Sequence, residues 1–371
     1  PGHYLLSNFS REEFRWMRGR RITETPRFQT TGNRKDVPEV KSCFSFEELN
    51  RENGFQMSDY WIWCGSPAAD PAGGYHLYAS RWSMRYPMYI GYLLSSEIVR
   101  AYSPEMTGPF RFCETVLPTG NPADWNGRMA HNPRVLPYGK RWLLYYIALT
   151  YDGPPVAERS FVDRIYERIR IGLATADAPG GPWRFLPEPI LNPVPGSWDA
   201  AIVTNPAPCV APDGRIFLYY RSNTPDGLRI GLAVAESPEG PYRRVVNRPV
   251  LDFHVEDPFV WHDGERFRMI AKDISGELCG EKIAGAHFVS SNGVDWKLGT
   301  PAKAYSRHVR YRDGEEVTLG CLERPSLLFD ATGNPVCLYG AVGTGGISFH
   351  HITRSWNLAL PIRRENIDRS V

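Results

Sequence analysis

Long apolar runs are missing from this sequence. No stretch approaches the 18 or so consecutive apolar residues that a membrane-spanning helix needs. A charge of one sign is missing too: 43 Lys and Arg nearly cancel 41 Asp and Glu, leaving +2. That balance argues against a nucleic-acid binder or a membrane-surface protein. Cysteine shows no useful pattern. The seven, at 43, 64, 113, 209, 279, 321 and 337, contain no Cys-x-x-Cys pair and no His/Cys cluster, so no metal site of that kind is expected. Several fall within apolar runs, where a free thiol behaves as a small hydrophobe. Such thiols favour a cytoplasmic home over a periplasmic one. The sequence as it stands carries no signal peptide, and both compartments stay open.

What the sequence does have is turn residues, aromatic residues and a recurring phrase. It carries 34 Gly and 32 Pro for turns, with 19 Tyr, 17 Phe and 11 Trp for strand faces. The clearest copy of the phrase is His254-Val255-Glu256-Asp257-Pro258-Phe259-Val260-Trp261, followed by the turn His262-Asp263-Gly264 and a second apolar run, Phe267 to Ala271. Proline has no N–H for a ladder, so it is expected where a strand opens, with the residues before it at a strand mouth.

The phrase returns at Cys64-Gly65-Ser66-Pro67, His131-Asn132-Pro133, Thr204-Asn205-Pro206 and Glu323-Arg324-Pro325, each followed by a Gly turn and an aromatic-rich run. A second landmark follows each copy. Ile169 to Ala174 runs into Gly181-Pro182-Trp183, Leu228 to Ala233 into Gly240-Pro241-Tyr242, and Ile98 to Ala101 into Gly108-Pro109-Phe110. Ala284 to Val289 leads to Trp296, and Ile347 to Ile352 leads to Trp356. Each unit reads as four strands, and four-stranded repeats at such a period are propeller blades. The expected fold is therefore all-β: a five-bladed β-propeller over residues 57–371, with an N-terminal arm at 1–56. Ser10 with Glu13 and Ser45 with Glu48 fit capping boxes, so the arm is expected to hold helical turns. The charged connection Tyr151 to Arg168 is expected as a rim loop.

Up-and-down connectivity would bring three sets of residues to one rim. The axial set is Ser66, His131, Asn132, Thr204, Asn205, Glu256, Asp257, Glu323 and Arg324. The second-strand ends are Arg81, Trp82, Arg221, Lys272 and Asp273; the third-strand starts are Glu97, Arg170, Arg229, Glu281 and Lys282. Such a set is either a ring of structural ion pairs plugging the axis or a pocket for a polar ligand, and Asn and His among the charges favour the pocket.

Five blades with acidic residues beside these prolines resemble the five-bladed glycosidases, the arabinanase, levansucrase and invertase group, with families 43, 117 and 130 the nearest types. The resemblance covers roughly residues 57 to 360 and rests on the blade pattern more than on a strict motif. In family 43 the catalytic trio is an Asp-Pro base, a second Asp-Pro that tunes pKa and a Glu-x-Pro acid. Asp257-Pro258 matches an Asp-Pro element and Glu323-Arg324-Pro325 matches Glu-x-Pro. The blade-one base does not match, because Ser66-Pro67 stands there, and Asn132 and Asn205 follow in the next two blades. A third carboxylate must come from Glu281, Asp273, Glu97, Asp59 or Glu256, and Glu281 is favoured.

The resemblance implies catalysis by Asp257, Glu323 and Glu281. The axial and second-strand positions assign substrate binding to His131, Asn132, Asn205, Glu256, Arg324, Arg81, Arg221, Lys272 and Asp273. His131, His254 and His287 stand as alternative proton donors to Glu323. No cofactor is expected, with a structural calcium or sodium ion on the axis left open. The leading expectation is an exo-acting glycoside hydrolase with a carbohydrate substrate and no nucleic-acid or membrane partner. A phosphorylase and a non-catalytic sugar-binding propeller are the alternatives. Arg81, Arg170, Arg221, Arg229, Lys272 and Arg324 would hold phosphate or an acidic or sulfated sugar.

Overall fold

In a computed structural model, which describes residues 42–363, the chain forms five small antiparallel sheets in a ring, a five-bladed β-propeller. Blade one contains β1 (Tyr60–Ala69), β2 (Tyr75–Ser83), β3 (Glu97–Ser103) and β4 (Arg111–Leu117). Blade two contains β5 (Met129–Tyr138), β6 (Arg141–Leu149), β7 (Arg170–Ala176) and β8 (Arg184–Phe185). Blade three contains β9 (Thr204–Val210), β10 (Ile216–Thr224), β11 (Gly227–Ala235) and β12 (Arg243–Arg244). Blade four contains β13 (Val255–His262), β14 (Phe267–Asp273), β15 (Ala284–Ser290) and β16 (Lys297–Tyr305). A small hairpin, β17 (His308–Arg310) with β18 (Glu316–Thr318), precedes blade five, which contains β19 (Cys321–Phe329), β20 (Pro335–Thr344) and β21 (Arg354–Pro361).

Blade five has three strands of its own, and residues 45–55 complete it. Phe55 and Asn357 exchange backbone hydrogen bonds of 3.0 and 2.9 Å, and Phe46 bridges Ile362. The N-terminal side of the chain thus covers the outer edge of β21 and closes the ring. This overturns the helix expected to open at Ser45. The capping-box pattern is only a local signal, whereas the open edge of β21 offers a row of unpaired N–H and C=O groups. The Ser10 pattern lies outside the described residues. Two further expectations change. Ile347 to Ile352 forms a loop, and Trp356 lies inside the third strand, paired with Val342. The connection Tyr151 to Arg168 contains a short helix, α2 (Arg159–Tyr166). Another helix, α1 (Met88–Ser95), joins β2 to β3. Both helices and the loop 345–353 link second to third strands, so all three stand on one rim.

Aromatic stacking fills the outer parts of blades two and three. Trp125 lies on Tyr146 at 5.9 Å and Trp198 on Tyr220 at 6.1 Å. The repeated glycine explains the fit: a Cβ on Gly172 would meet Trp125 at 2.7 Å, and one on Gly231 would meet Trp198 at 2.6 Å.

The five prolines do not open their strands. Each innermost strand contains a bulge at the same level, where two residues face one on the second strand. The register jumps from Trp63 to Ser66, His131 to Arg134, Thr204 to Ala207, Glu256 to Phe259, and Glu323 to Ser326. Pro133, Pro206, Pro258 and Pro325 take the second bulge position, where a missing N–H breaks no ladder. In blade one that position is Gly65, and Pro67 lies two residues farther on. A side chain at Gly65 would collide with Asn357 Oδ1, 2.4 Å from its Cβ direction.

Candidate active site

The bulges set two tiers of side chains around the axis. The lower tier is the first bulge residue of each blade: Cys64, Asn132, Asn205, Asp257 and Arg324, with φ between 52° and 61°. A left-handed backbone costs a non-glycine residue about 1–2 kcal/mol, and it survives where surrounding contacts over-determine it, commonly at functional sites. Those contacts form a closed circuit. Cys64 Sγ lies 2.9 Å from the Asn132 amide, Asn132 2.9 Å from Asn205, and Asn205 Nδ2 donates to Asp257 Oδ1 at 3.0 Å. Arg324 Nη1 pairs with Asp257 Oδ1 at 2.8 Å; with the Asn132 amide turned over, the Asn132 oxygen instead accepts from Arg324 Nη1 at 2.9 Å. The blade-one slot expected at Ser66 therefore belongs to Cys64; Ser66 instead accepts the Val135 N–H, 2.8 Å from its Oγ.

The upper tier is the residue before each bulge: Trp63, His131, Thr204, Glu256 and Glu323. Lys272, directly opposite Glu256 on β14, binds three carboxyls at once. Its Nζ contacts Glu256, lies 2.6 Å from Glu323 Oε2 and 3.6 Å from Asp257 Oδ2. Oxygens of these three carboxyls lie within 4.8 Å of one another, a spacing that could hold a cation, and the Lys272 ammonium contacts all three.

The two glutamates sit in unlike environments. Burial opposes ionisation of Glu256, but the charges of Lys272, Arg221 and Arg324 outweigh it and hold its carboxyl well below the usual range. Burial pushes the Glu323 carboxyl up; Lys272 pulls the other way, while Asp257 and Glu256 add to the rise. Glu323 Oε1 is buried without a hydrogen-bond partner. A pair of carboxyls with pKa values driven apart can supply one acid and one base at the same pH.

Aromatic residues wall the rim above. Arg221 Nη2 donates to the Tyr166 hydroxyl at 2.7 Å and its Nε lies 3.5 Å from Glu256. Tyr92 packs on His131 at 5.0 Å and on Phe349 at 5.6 Å, and Tyr89 reaches His350 at 4.7 Å. His131 Nδ1 contacts Ser96 Oγ at 2.8 Å, and burial, with Arg324 adding to it, drives its pKa well below the ordinary value. It stands neutral, a hydrogen-bonding group and not a cationic acid.

Several expected residues lie elsewhere. Glu281 pairs with Lys303 at 3.0 Å and accepts the Arg307 N–H at 3.0 Å, away from the three-carboxyl cluster; the third carboxyl there is Glu256. Asp273 accepts backbone N–H groups of Gly276, Leu278 and Cys279 and so holds a turn. Arg81 pairs with Glu97 at 2.7 Å, Arg229 with Asp252, and Arg170 donates to the carbonyls of Glu167 and Ile169. Only Arg221, Lys272 and Arg324 of the six expected rim cations bind the axial carboxyls. His254 accepts the Leu228 N–H and His287 faces the Pro301 carbonyl. Tyr166 lies on the connection Tyr151 to Arg168, expected at the rim; Tyr89 and Tyr92, on α1, and Phe349, in a segment expected as a strand, were not expected there.

No protein-family model and no curated relative matches the sequence. Solved structures do. The fold is similar to a family 117 glycoside hydrolase of the marine bacterium Zobellia galactanivorans, with a TM-score of 0.63 and 17% identity over 87% of this chain and 91% of that one. It is similar to the catalytic domain of a family 62 alpha-L-arabinofuranosidase of Coprinopsis cinerea, with a TM-score of 0.58 and 13% identity over 87% and 98%. A thermostable family 43 glycoside hydrolase is also similar, with a TM-score of 0.55 and 13% identity over 82% and 93%. At such identities the likeness establishes the five-bladed fold.

Proposed function

We propose that this chain is a glycoside hydrolase that releases a terminal sugar, with Glu323 as the acid and Glu256 as the ionised carboxylate. The observation that carries this reading is a pair of glutamates, Glu323 buried and Glu256 half-buried, held by one ammonium in surroundings that push their pKa values in opposite directions. Glycoside cleavage needs one protonated carboxyl to donate to the leaving oxygen. It needs a second, ionised one to activate water or attack the anomeric carbon. Lys272 and Arg221 keep Glu256 ionised. Asp257, tied into the lower circuit by Asn205 and Arg324, adds negative charge beside Glu323 and helps keep it protonated. Tyr89, Tyr166 and Phe349, half-buried and packed around the buried Tyr92, offer aromatic surface for the apolar side of a sugar ring. Their crowding at the rim favours exo action on a chain end over binding along an open groove. Similarity in fold to glycoside hydrolases supports the reaction class, though fold alone does not fix function.

A second reading, phosphorolysis, draws on the three cations gathered at the axis, Arg221, Lys272 and Arg324, which also suit an acidic or sulfated sugar. One experiment separates these. Neutral, uronic and sulfated aryl glycosides are incubated with the protein, with and without phosphate. Free sugar released without phosphate supports hydrolysis; sugar phosphate formed only with phosphate supports phosphorolysis. Saturable binding with no turnover on any substrate would leave a sugar-binding propeller.

A further inference from the structure

The rim carries hydroxyl groups that the acid–base pair does not use. Tyr89 and Tyr92 share one turn of α1, and Tyr166 ends α2 beside them. Tyr92 is 8% exposed, and its ring is covered. It packs on His131 at 5.0 Å, edge-on against Phe349 at 5.6 Å and Tyr89 at 5.9 Å, and beside Trp82 at 6.2 Å. Its hydroxyl is different. Among the described residues that oxygen makes no hydrogen bond, and unlike the Tyr305 hydroxyl, which is fully enclosed, it keeps contact with solvent. It is close enough to Tyr166, Tyr89, Arg221 and Arg324 to feel their charge, which places it over the mouth.

The Tyr89 hydroxyl also has no partner among the described residues, and Tyr166, which accepts from Arg221, has its own O–H left to donate. A phenol both gives and takes a hydrogen bond. Burial, with Tyr166 adding to it, pushes the Tyr89 and Tyr92 phenols above their ordinary value, so both keep their protons. The cations beside them are already matched. Arg159, over the Tyr89 ring at 4.4 Å, binds Asp163 at 2.8 and 3.1 Å, and Arg221 meets Glu256, Tyr166 and Asn223. This wall therefore offers groups that donate and accept, with no spare charge.

We propose that the Tyr92 hydroxyl, with that of Tyr89, binds hydroxyl groups of a neutral sugar ring and so selects a neutral terminal sugar over a uronic or sulfated one. A carboxylate or sulfate only accepts hydrogen bonds and is held best by an unmatched cation. A sugar hydroxyl donates and accepts, as the phenols do. Tyr92 meets the ligand by its oxygen, because its ring is covered. The assignment rests on the hydrolase reading only in taking the bound ring to be a terminal sugar.

Free monosaccharides contain no bond to hydrolyse, so their binding reports on the wall without turnover. Binding of D-galactose, D-xylose, L-arabinose and D-galacturonate to the whole chain is followed by saturation-transfer NMR, on the unaltered protein and on Tyr92→Phe. The expected result is saturable binding of at least one neutral sugar, tighter than that of galacturonate. Tyr92→Phe should weaken it roughly 3- to 10-fold, the worth of one hydrogen bond. Melting temperature should not change, because the hydroxyl has no protein partner. Among mono-deoxy forms of the bound sugar, the one lacking the contacted hydroxyl should bind both proteins equally, a coupling that a merely structural tyrosine would not show. Should the variant not fold, the comparison of neutral sugars with galacturonate on the unaltered protein still decides. Equal binding of the sugar by both proteins, galacturonate preferred to every neutral sugar, or no saturable binding by any of the four overturns the proposal. Sugar binding that depends on Tyr92 without turnover of any glycoside would sink the hydrolase reading and leave this one standing; turnover without that dependence would do the reverse.

Discussion

Replacing Lys272 by Met removes the charge that three carboxyls share. The side chain is 5% exposed, and its ammonium touches Glu256, Glu323 and Asp257, so no solvent takes its place. Breaking a buried ionic network by removing one partner costs roughly 3–5 kcal/mol. At about 2 °C per kcal/mol for a domain of this size, that is a fall of about 6–10 °C in melting temperature near neutral pH. The loss should depend on pH in a definite direction. Glu256 has a depressed pKa in the folded protein, so its ion pair contributes stability above the ordinary carboxyl value, and that stability is lost as pH falls through the folded value. Without Lys272 this contribution is gone, and the clustered carboxyls relieve their repulsion by taking up protons. The gap between the unaltered protein and the variant should therefore be widest near pH 7.5 and narrow toward about pH 4.5. Differential scanning fluorimetry across that range reads it. A gap of the same size at both ends, or one below about 1 °C throughout, would refute the reasoning.

Glu281→Gln should lower the melting temperature, by roughly 1–3 kcal/mol of lost pairing with Lys303 and Arg307, while turnover stays within about twofold; a large loss of kcat would return Glu281 to the chemistry. Tyr166→Phe removes the hydroxyl that anchors Arg221 and should lower kcat/KM roughly tenfold, the worth of one charge-assisted hydrogen bond, with melting little changed. Steady-state kinetics and melting curves on each variant check both.

The fold was legible because the repeat is strong, and the exceptions have physical causes. Four of the prolines, expected where strands open, fall instead on the second bulge position, and Pro67 lies two residues beyond it. There the bulge is built on Gly65, which must clear Asn357 from a strand nearly the whole sequence away. Glu256 and Glu323 occupy equivalent slots in neighbouring blades, a relation visible once the bulge register is known. Glu281 looked equally placed by its Gly-containing turns, but the side chain turns to Lys303. The upper wall was not legible. Met88–Ser95 is short and apolar on most sides, without the periodic stripe that announces a helix. Ser45 shows the reverse failure, a helix signal overridden by an open sheet edge.

The most direct test of the central claim is the dependence of Glu323→Gln on leaving group. Aryl glycosides of one sugar, spanning weakly to strongly acidic phenols, are compared on the unaltered protein and the variant. If Glu323 donates the proton, the variant should lose roughly 10²–10⁴-fold in kcat on the least acidic phenols, the worth of one acid–base group. It should lose far less on dinitrophenolate, which departs without a proton. The alkaline limb of the pH profile, assigned to the raised Glu323 carboxyl, should vanish with it. An equal loss on every leaving group, or no loss at all, would contradict the assignment.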